Sequence, residues 1–158
     1  MAAGVFNIAK GKINEYVARV DGNDPANSAL IVVLLKVTEV AATLQDYDTL
    51  AALLSGSNTE CDFTNYARKT ITDTGVVAPT PDDTGNAQSA DITVDPVWTA
   101  AGGASNNNIV KLLICYDGDT AGGTDANIVP LTYHDFVVST NGGDITAALD
   151  AAGFFTAS

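Results

Sequence analysis

Apolar side chains are distributed along this chain in two ways, and the difference predicts its elements. Residues 29–37 and 109–116 are short, near-continuous runs rich in Leu, Ile and Val, bounded by turn residues, which predicts two buried strands. Ile13, Tyr16, Val17 and Val20 recur at helical spacing and predict a short helix over 12–20, although the same stretch alternates tolerably as a strand. A second helix is predicted over 47–54, capped by Asp46 or Asp48 and stopped at Gly56. Residues 63–72, with their aromatic, β-branched and Thr content, read as a half-buried strand. Residues 91–95 alternate and continue through Pro96 and Trp98 as a strand or edge. Residues 128–138 predict a strand pair or one bent strand, with Pro130 at the edge or bend. Asn141, Gly142, Gly143 and Asp144 signal a hairpin, after which Ile145, Ala147 and Leu149 alternate towards Gly153, Phe154 and Phe155.

Polar clusters at 21–25, 79–86, 102–108 and 117–125 separate these runs as turns or loops. No internal repeat and no linker breaks the order. The expected fold is mainly β: a compact β-sandwich or barrel-like domain with one or two short helices in the N-terminal half. Residues 1–158 form one domain, in which 1–8 are either an extended arm or the first strand with a frayed end.

Composition sharpens this picture in one respect. A chain of 158 residues buries enough surface to fold without a metal or disulfide staple. Charged residues make up only 16%, below the usual quarter, and Asp and Glu outnumber Lys and Arg 19 to 7, for a net charge of −12. Such a surface repels phosphate backbones and anionic membranes, so neither nucleic acid nor membrane is an expected partner. The longest apolar run, at 29–35, is about a third of a membrane span. The first ten residues lack a charged segment followed by an apolar core, so a cytoplasmic origin is expected. Cys61 and Cys115 are expected to be buried free thiols.

The candidates for chemistry are few. His134 is the only histidine, and its neighbour Asp135 points to the opposite face of a strand, so a partly buried or surface histidine is expected, not a catalytic one. The segment 117–125 opens like a calcium loop with Asp117, Asp119 and Gly122. Ala121 then takes a ligand position and Ile128 stands where the bidentate Glu belongs, so an acidic turn is expected. Asp82 with Asp83, and Asp91 with Asp95, read as solvated loop charge. Gly102–Gly103, Gly122–Gly123 and Gly142–Gly143 lack the Lys-Ser or Lys-Thr of a phosphate cradle and read as tight turns. Trp98, Tyr116, Tyr133, Phe136, Phe154 and Phe155 are expected in the core, with a sugar-binding shelf as the alternative. Arg68 is the sharpest single position. In so acidic a chain it is expected to bond Glu60 or Asp62, supported by Tyr66, with contact to a neighbouring subunit as the alternative. No catalytic residue, cofactor or metal is expected.

Several stretches together resemble small structural proteins of tailed bacteriophages. They are Asn7-Ile-Ala-Lys-Gly11, Asn23-Asp-Pro-Ala-Asn-Ser-Ala29 leading into Leu30-Ile-Val-Val-Leu-Leu35, Asn58-Thr-Glu60, Asn65-Tyr-Ala-Arg68 and Trp98. Lys111-Leu-Leu-Ile-Cys-Tyr-Asp117 and Ile128-Val-Pro-Leu-Thr-Tyr-His-Asp-Phe136 complete the set. The resemblance implies a non-enzymatic virion component made in the host bacterial cytoplasm. It would decorate the capsid exterior, with the major capsid protein and further copies of itself as partners. A tail- or fibre-associated module that binds host-surface carbohydrate is the alternative. The resemblance carries no functional residues onto this chain.

Overall fold

The computed structural model describes residues 3–149 and 153–158. In chain order the strands and helices are β1 (Ala3–Val5), α1 (Ile13–Asp21), β2 (Ala29–Val37), α2 (Ala41–Leu44), α3 (Leu50–Ser55), β3 (Thr59–Glu60), β4 (Lys69–Ile71), β5 (Val76–Val77), β6 (Pro81–Asp82), β7 (Ala87–Ile92), β8 (Val97–Trp98), β9 (Asn108–Asp117), β10 (Val129–Ser139), β11 (Ile145–Thr146) and β12 (Phe155–Ala157). The protein is mainly β, with three short α-helices among the described residues, all in the N-terminal half. Its strands form three open sheets, not a closed barrel.

The largest sheet runs β1-β10-β9-β2-β3, and β4 joins β2 beside β3. Its register explains the continuous apolar runs. Val32, Ile114 and Thr132 stand side by side across β2, β9 and β10, as do Leu34, Leu112 and His134, all on one face. Val33, Leu113 and Tyr133 stand on the other. Helix α1 covers part of the first face. It buries Ile13, Val17 and Val20, and its Tyr16 ring lies 4.6 Å from that of Tyr116. On the second face Phe6 packs edge-on against Tyr133 at 5.5 Å. A sheet covered on both sides needs apolar residues at every position of its central strands, and Ala29 to Leu35 are all buried.

The helix over 12–20 and the strands over 29–37 and 109–116 form as predicted. Residues 128–138 become one bent strand, β10, with register shifts at Pro130/Thr132 and Asp135/Val138. Four expectations need correction. The cap of α3 is Thr49, whose Oγ1 accepts from the Ala52 N–H at 3.2 Å, and neither Asp46 nor Asp48 serves. Only Lys69–Ile71 of 63–72 is strand, because Phe63 and Tyr66 turn into the core through a bend at Asn65, whose φ is +69°. Of the strand expected at 91–95, only Asp91 and Ile92 are in a strand, the end of β7, which begins at Ala87. The turn at 141–144 makes no hairpin, since β11 pairs with β8 instead of returning along β10. Of the segment at 1–8, Ala3–Val5 is a strand on the edge of β10, so the first-strand reading holds there; residues 1 and 2 lie outside the described residues. Gly4 is required in it, since a Cβ there would overlap the Tyr133 ring and hydroxyl. Among the described residues no helix is long and apolar enough to cross a membrane.

Candidate functional site

A cluster of charged side chains is built around Arg68. The chain leaves the sheet after β3, turns through Asn65 and returns at β4, which delivers the guanidinium beside two carboxylates. Its Nε and Nη2 donate to Glu60 Oε1 and Oε2 at 2.8 and 2.7 Å. Its Nη1 and Nη2 donate to Asp125 Oδ1 and Oδ2 at 2.5 and 2.9 Å. Tyr66 Oη donates to Glu60 Oε1 at 2.7 Å and accepts from the Leu34 N–H at 3.1 Å. A planar fork meeting two carboxylates with paired bonds is the geometry that arginine provides and lysine cannot. The two carboxylates drive the Arg68 pKa further up, and Arg68 in turn holds Asp125 below the ordinary carboxylate range. Burial, with the Glu60 charge beside it, pushes Tyr66 up, so the phenol stays a donor.

The cluster has a mechanical role. The Asp125 carbonyl accepts from Ala51 N–H at 2.9 Å, and the Ile128 carbonyl accepts from Leu50 N–H at 2.9 Å. Arg68 therefore ties β3, the 118–128 loop and the start of α3 into one unit. Of the two partners expected for Arg68, Glu60 is present and Asp62 is not. Asp62 bonds Lys36 at 2.5 Å and Asn107 Nδ2 at 3.0 Å instead, bonds that hold its carboxyl below the usual range. Asp125, the second partner, lies 57 positions from Arg68, and nothing local in the sequence marks it.

The remaining candidates do not converge on a site. His134 is 5% exposed, more deeply placed than a partly buried or surface histidine, because strand β1 and Leu112 flank it on either side. Its Nε2 lies 3.0 Å from Thr132 Oγ1, while Asp135 faces the other way and bonds Lys111 at 2.5 Å. Burial holds the imidazole down at a pKa of about 4. The folded value lies below the ordinary one of about 6.5, so the unfolded chain takes up the proton first as the pH falls. Stability is complete above about pH 6.5 and declines from there towards about pH 4, with about 2 kcal/mol lost by about pH 5. Urea unfolding of His134→Gln, compared with the parent from neutral pH down to about pH 4, should show that part of the slope removed; equal slopes would place the acid sensitivity elsewhere.

Trp98 is fully buried, and its Nε1 donates to the Ala67 carbonyl at 2.8 Å. Tyr116, Tyr133, Phe136 and Phe154 are buried too, and Phe155 is half-buried, so none of these rings forms an exposed shelf. In the 117–125 loop Asp117 Oδ1 accepts from Asp119 N–H at 3.0 Å, and Asp119 Oδ1 accepts from Ala121 N–H at 3.0 Å. Both side chains thus bond their own turn. Among the described residues no group of three or more His, Cys, Asp or Glu is placed to hold a metal ion. Asp82 receives the Thr84 and Gly85 N–H groups, and Asp95 receives that of Leu149. Gly102, Gly103 and Gly142 have φ between +91° and +96° and make the paired turns expected of them. Cys61 and Cys115 are free and buried, and burial pushes the Cys61 thiol up to about 12, away from reactivity.

Among the surface grooves of the described residues, one adjoins an open strand edge, beside β4. A groove of about 310 Å³ is bounded by Lys69, Thr70, Ile71 and Thr72 on one side and by Val94, Asp95 and Pro96 on the other. Val94 is 72% exposed. Strand β4 is bonded only to β2, so its outer edge faces this groove unpaired by any described strand. No periodicity in 63–72 distinguishes this open edge from a covered one. Compared with known protein families, curated proteins and solved structures, the chain matches none.

Proposed function

We propose that this chain is a non-enzymatic structural protein of a tailed-bacteriophage virion, which binds the outer head surface and stabilises it. Its partners in this reading are the major capsid protein and further copies of itself. The observation that carries the reading is the open β4 edge with exposed Val94 beside it, on a domain of net charge −12. An uncovered strand and aliphatic groups in water suit association with another chain. The negative excess keeps the free protein soluble until it meets that chain. The fold supports the same use. Arg68 and the side chains bonded to it, with buried His134 and Trp98, fix a rigid body instead of gathering in a cleft.

The test is made on particles. Virions assembled without this chain should lose infectivity sooner on heating or in low salt, and gold-labelled antibody should mark the heads of complete ones. Particles equally robust without it, or label confined to tails, would defeat the proposal.

A further inference from the structure

Residues 69–73 read Lys-Thr-Ile-Thr-Asp, a run that is chemically symmetric about its centre: cation, hydroxyl, apolar, hydroxyl, anion. Laid antiparallel against a second copy of itself about Ile71, it places Lys69 opposite Asp73 at both ends. Thr70 then meets Thr72, and Ile71 meets Ile71. Each of these is a favourable cross-strand pair, and the two charge pairs come from one symmetry.

The structure presents the first four residues of this run extended, and the fifth, Asp73, opens the short 3-10 helix Asp73–Gly75. Lys69–Ile71 is already a strand with an open outer edge, and Thr72 continues it in an extended conformation at φ −86° and ψ −174°. Lys69 forms no ion pair among the described residues; its ammonium lies 5.6 Å from the Trp98 ring centre. Arg19, Lys36, Arg68 and Lys111 each meet a carboxylate within the chain, whereas Lys69, like Lys10 and Lys12, meets none among the described residues. Asp73 is exposed, and its carboxylate accepts only the Thr74 N–H, at 2.9 Å, among the described bonds. So Lys69, on the open strand, and Asp73, where the chain turns out of it into the short 3-10 helix Asp73–Gly75, form no ion pair among the described residues, and a second copy matches both.

We propose that the protein self-associates as a two-fold dimer through this edge, β4 pairing antiparallel with β4 of a second copy about Ile71. The exposed Val94 beside the groove is covered in the same step. The pairing rests on the proposed function only in giving its self-association a surface, and it is tested on the isolated chain without any particle.

Sedimentation of the full chain should show a dimer at micromolar concentration. Lys69→Glu opposes two carboxylates at each end and Asp73→Lys opposes two ammonium groups, so each variant alone should dissociate about tenfold more readily or worse. Mixed one to one, the two variants should dimerise again. The carboxylate introduced at position 69 of one then meets the ammonium introduced at position 73 of the other, while the native pair survives at the opposite end. A misfolded variant could not be rescued by mixing, so this outcome separates pairing from folding. A parent chain that stays monomeric at about 100 µM, far above the range in which a specific edge-to-edge dimer should form, would overturn the proposal. So would a dimer indifferent to both substitutions. Capsid binding that fails while the dimer persists would count against the virion reading alone.

Discussion

Trp98→Ala is expected to destabilise the protein by about 3–5 kcal/mol, the cost of deleting a large aromatic from a packed core. The ring is fully buried, so its removal leaves a void that the two-residue strand β8 and its partner β11 are too short to close. The Ala67 carbonyl also loses the indole N–H that donates to it at 2.8 Å, and Lys69 loses the ring face beside it. Trp98→Phe keeps most of the volume but leaves that carbonyl unmatched, and should cost about 1–3 kcal/mol. For a chain of this size the alanine variant should melt roughly 10 °C lower. Native fluorescence should be short in wavelength and shift red only on unfolding, since this is the single Trp of the chain. A stable, folded Trp98→Ala protein that had lost affinity for a glycan would instead revive a carbohydrate-binding shelf.

Arg68→Ala should cost about 2–4 kcal/mol. Removing one partner from a buried pair costs about 3–5 kcal/mol, and the water that reaches this cluster lowers the figure. Arg68, Glu60 and Asp125 side chains are 28%, 21% and 37% exposed. What remains is two carboxylates that face each other without a cation, and a 118–128 loop with no ionic tie to β3. Arg68→Lys should recover less than half of the loss, because one ammonium cannot make two paired contacts. The sign with pH follows from Asp125. Its folded pKa is depressed by Arg68, so the contribution is present above the ordinary carboxylate value and lost as the pH falls below it. Urea titration of both variants at neutral pH and at about pH 4 measures this, and the gap between parent and Arg68→Ala should narrow at the lower pH. A change below about 0.5 kcal/mol, with altered association instead, would show that Arg68 bonds a neighbouring subunit.

How much was legible in the sequence depended on the range of the interaction. The helix at Ile13–Asp21 and the strands at Ala29–Val37 and Asn108–Asp117 were readable because periodicity and run length record how each residue is covered. The cap of α3 was misplaced because Asp46, Asp48 and Thr49 are all competent caps, and only the backbone turn selects Thr49. The segment 63–72 carries strand-forming residues throughout, yet its first half is drawn inward by Phe63 and Tyr66. Burial there overrides propensity. Half of the Arg68 cluster was visible, since Glu60 lies eight positions away and an isolated arginine among acids must find one. Asp125 was not visible, because the other loop carboxylates look the same in the sequence.

By itself the sequence determined the acidic sign of the surface, the β character and the identity of the two innermost strands. These are local properties, written in composition and in the spacing of apolar residues. Only the tertiary structure decided that β1 borders β10, that β11 returns to β8, and that β4 keeps a free edge beside Val94. Strand partners are chosen by long-range packing among segments of nearly equal propensity, and no single segment records which neighbour wins.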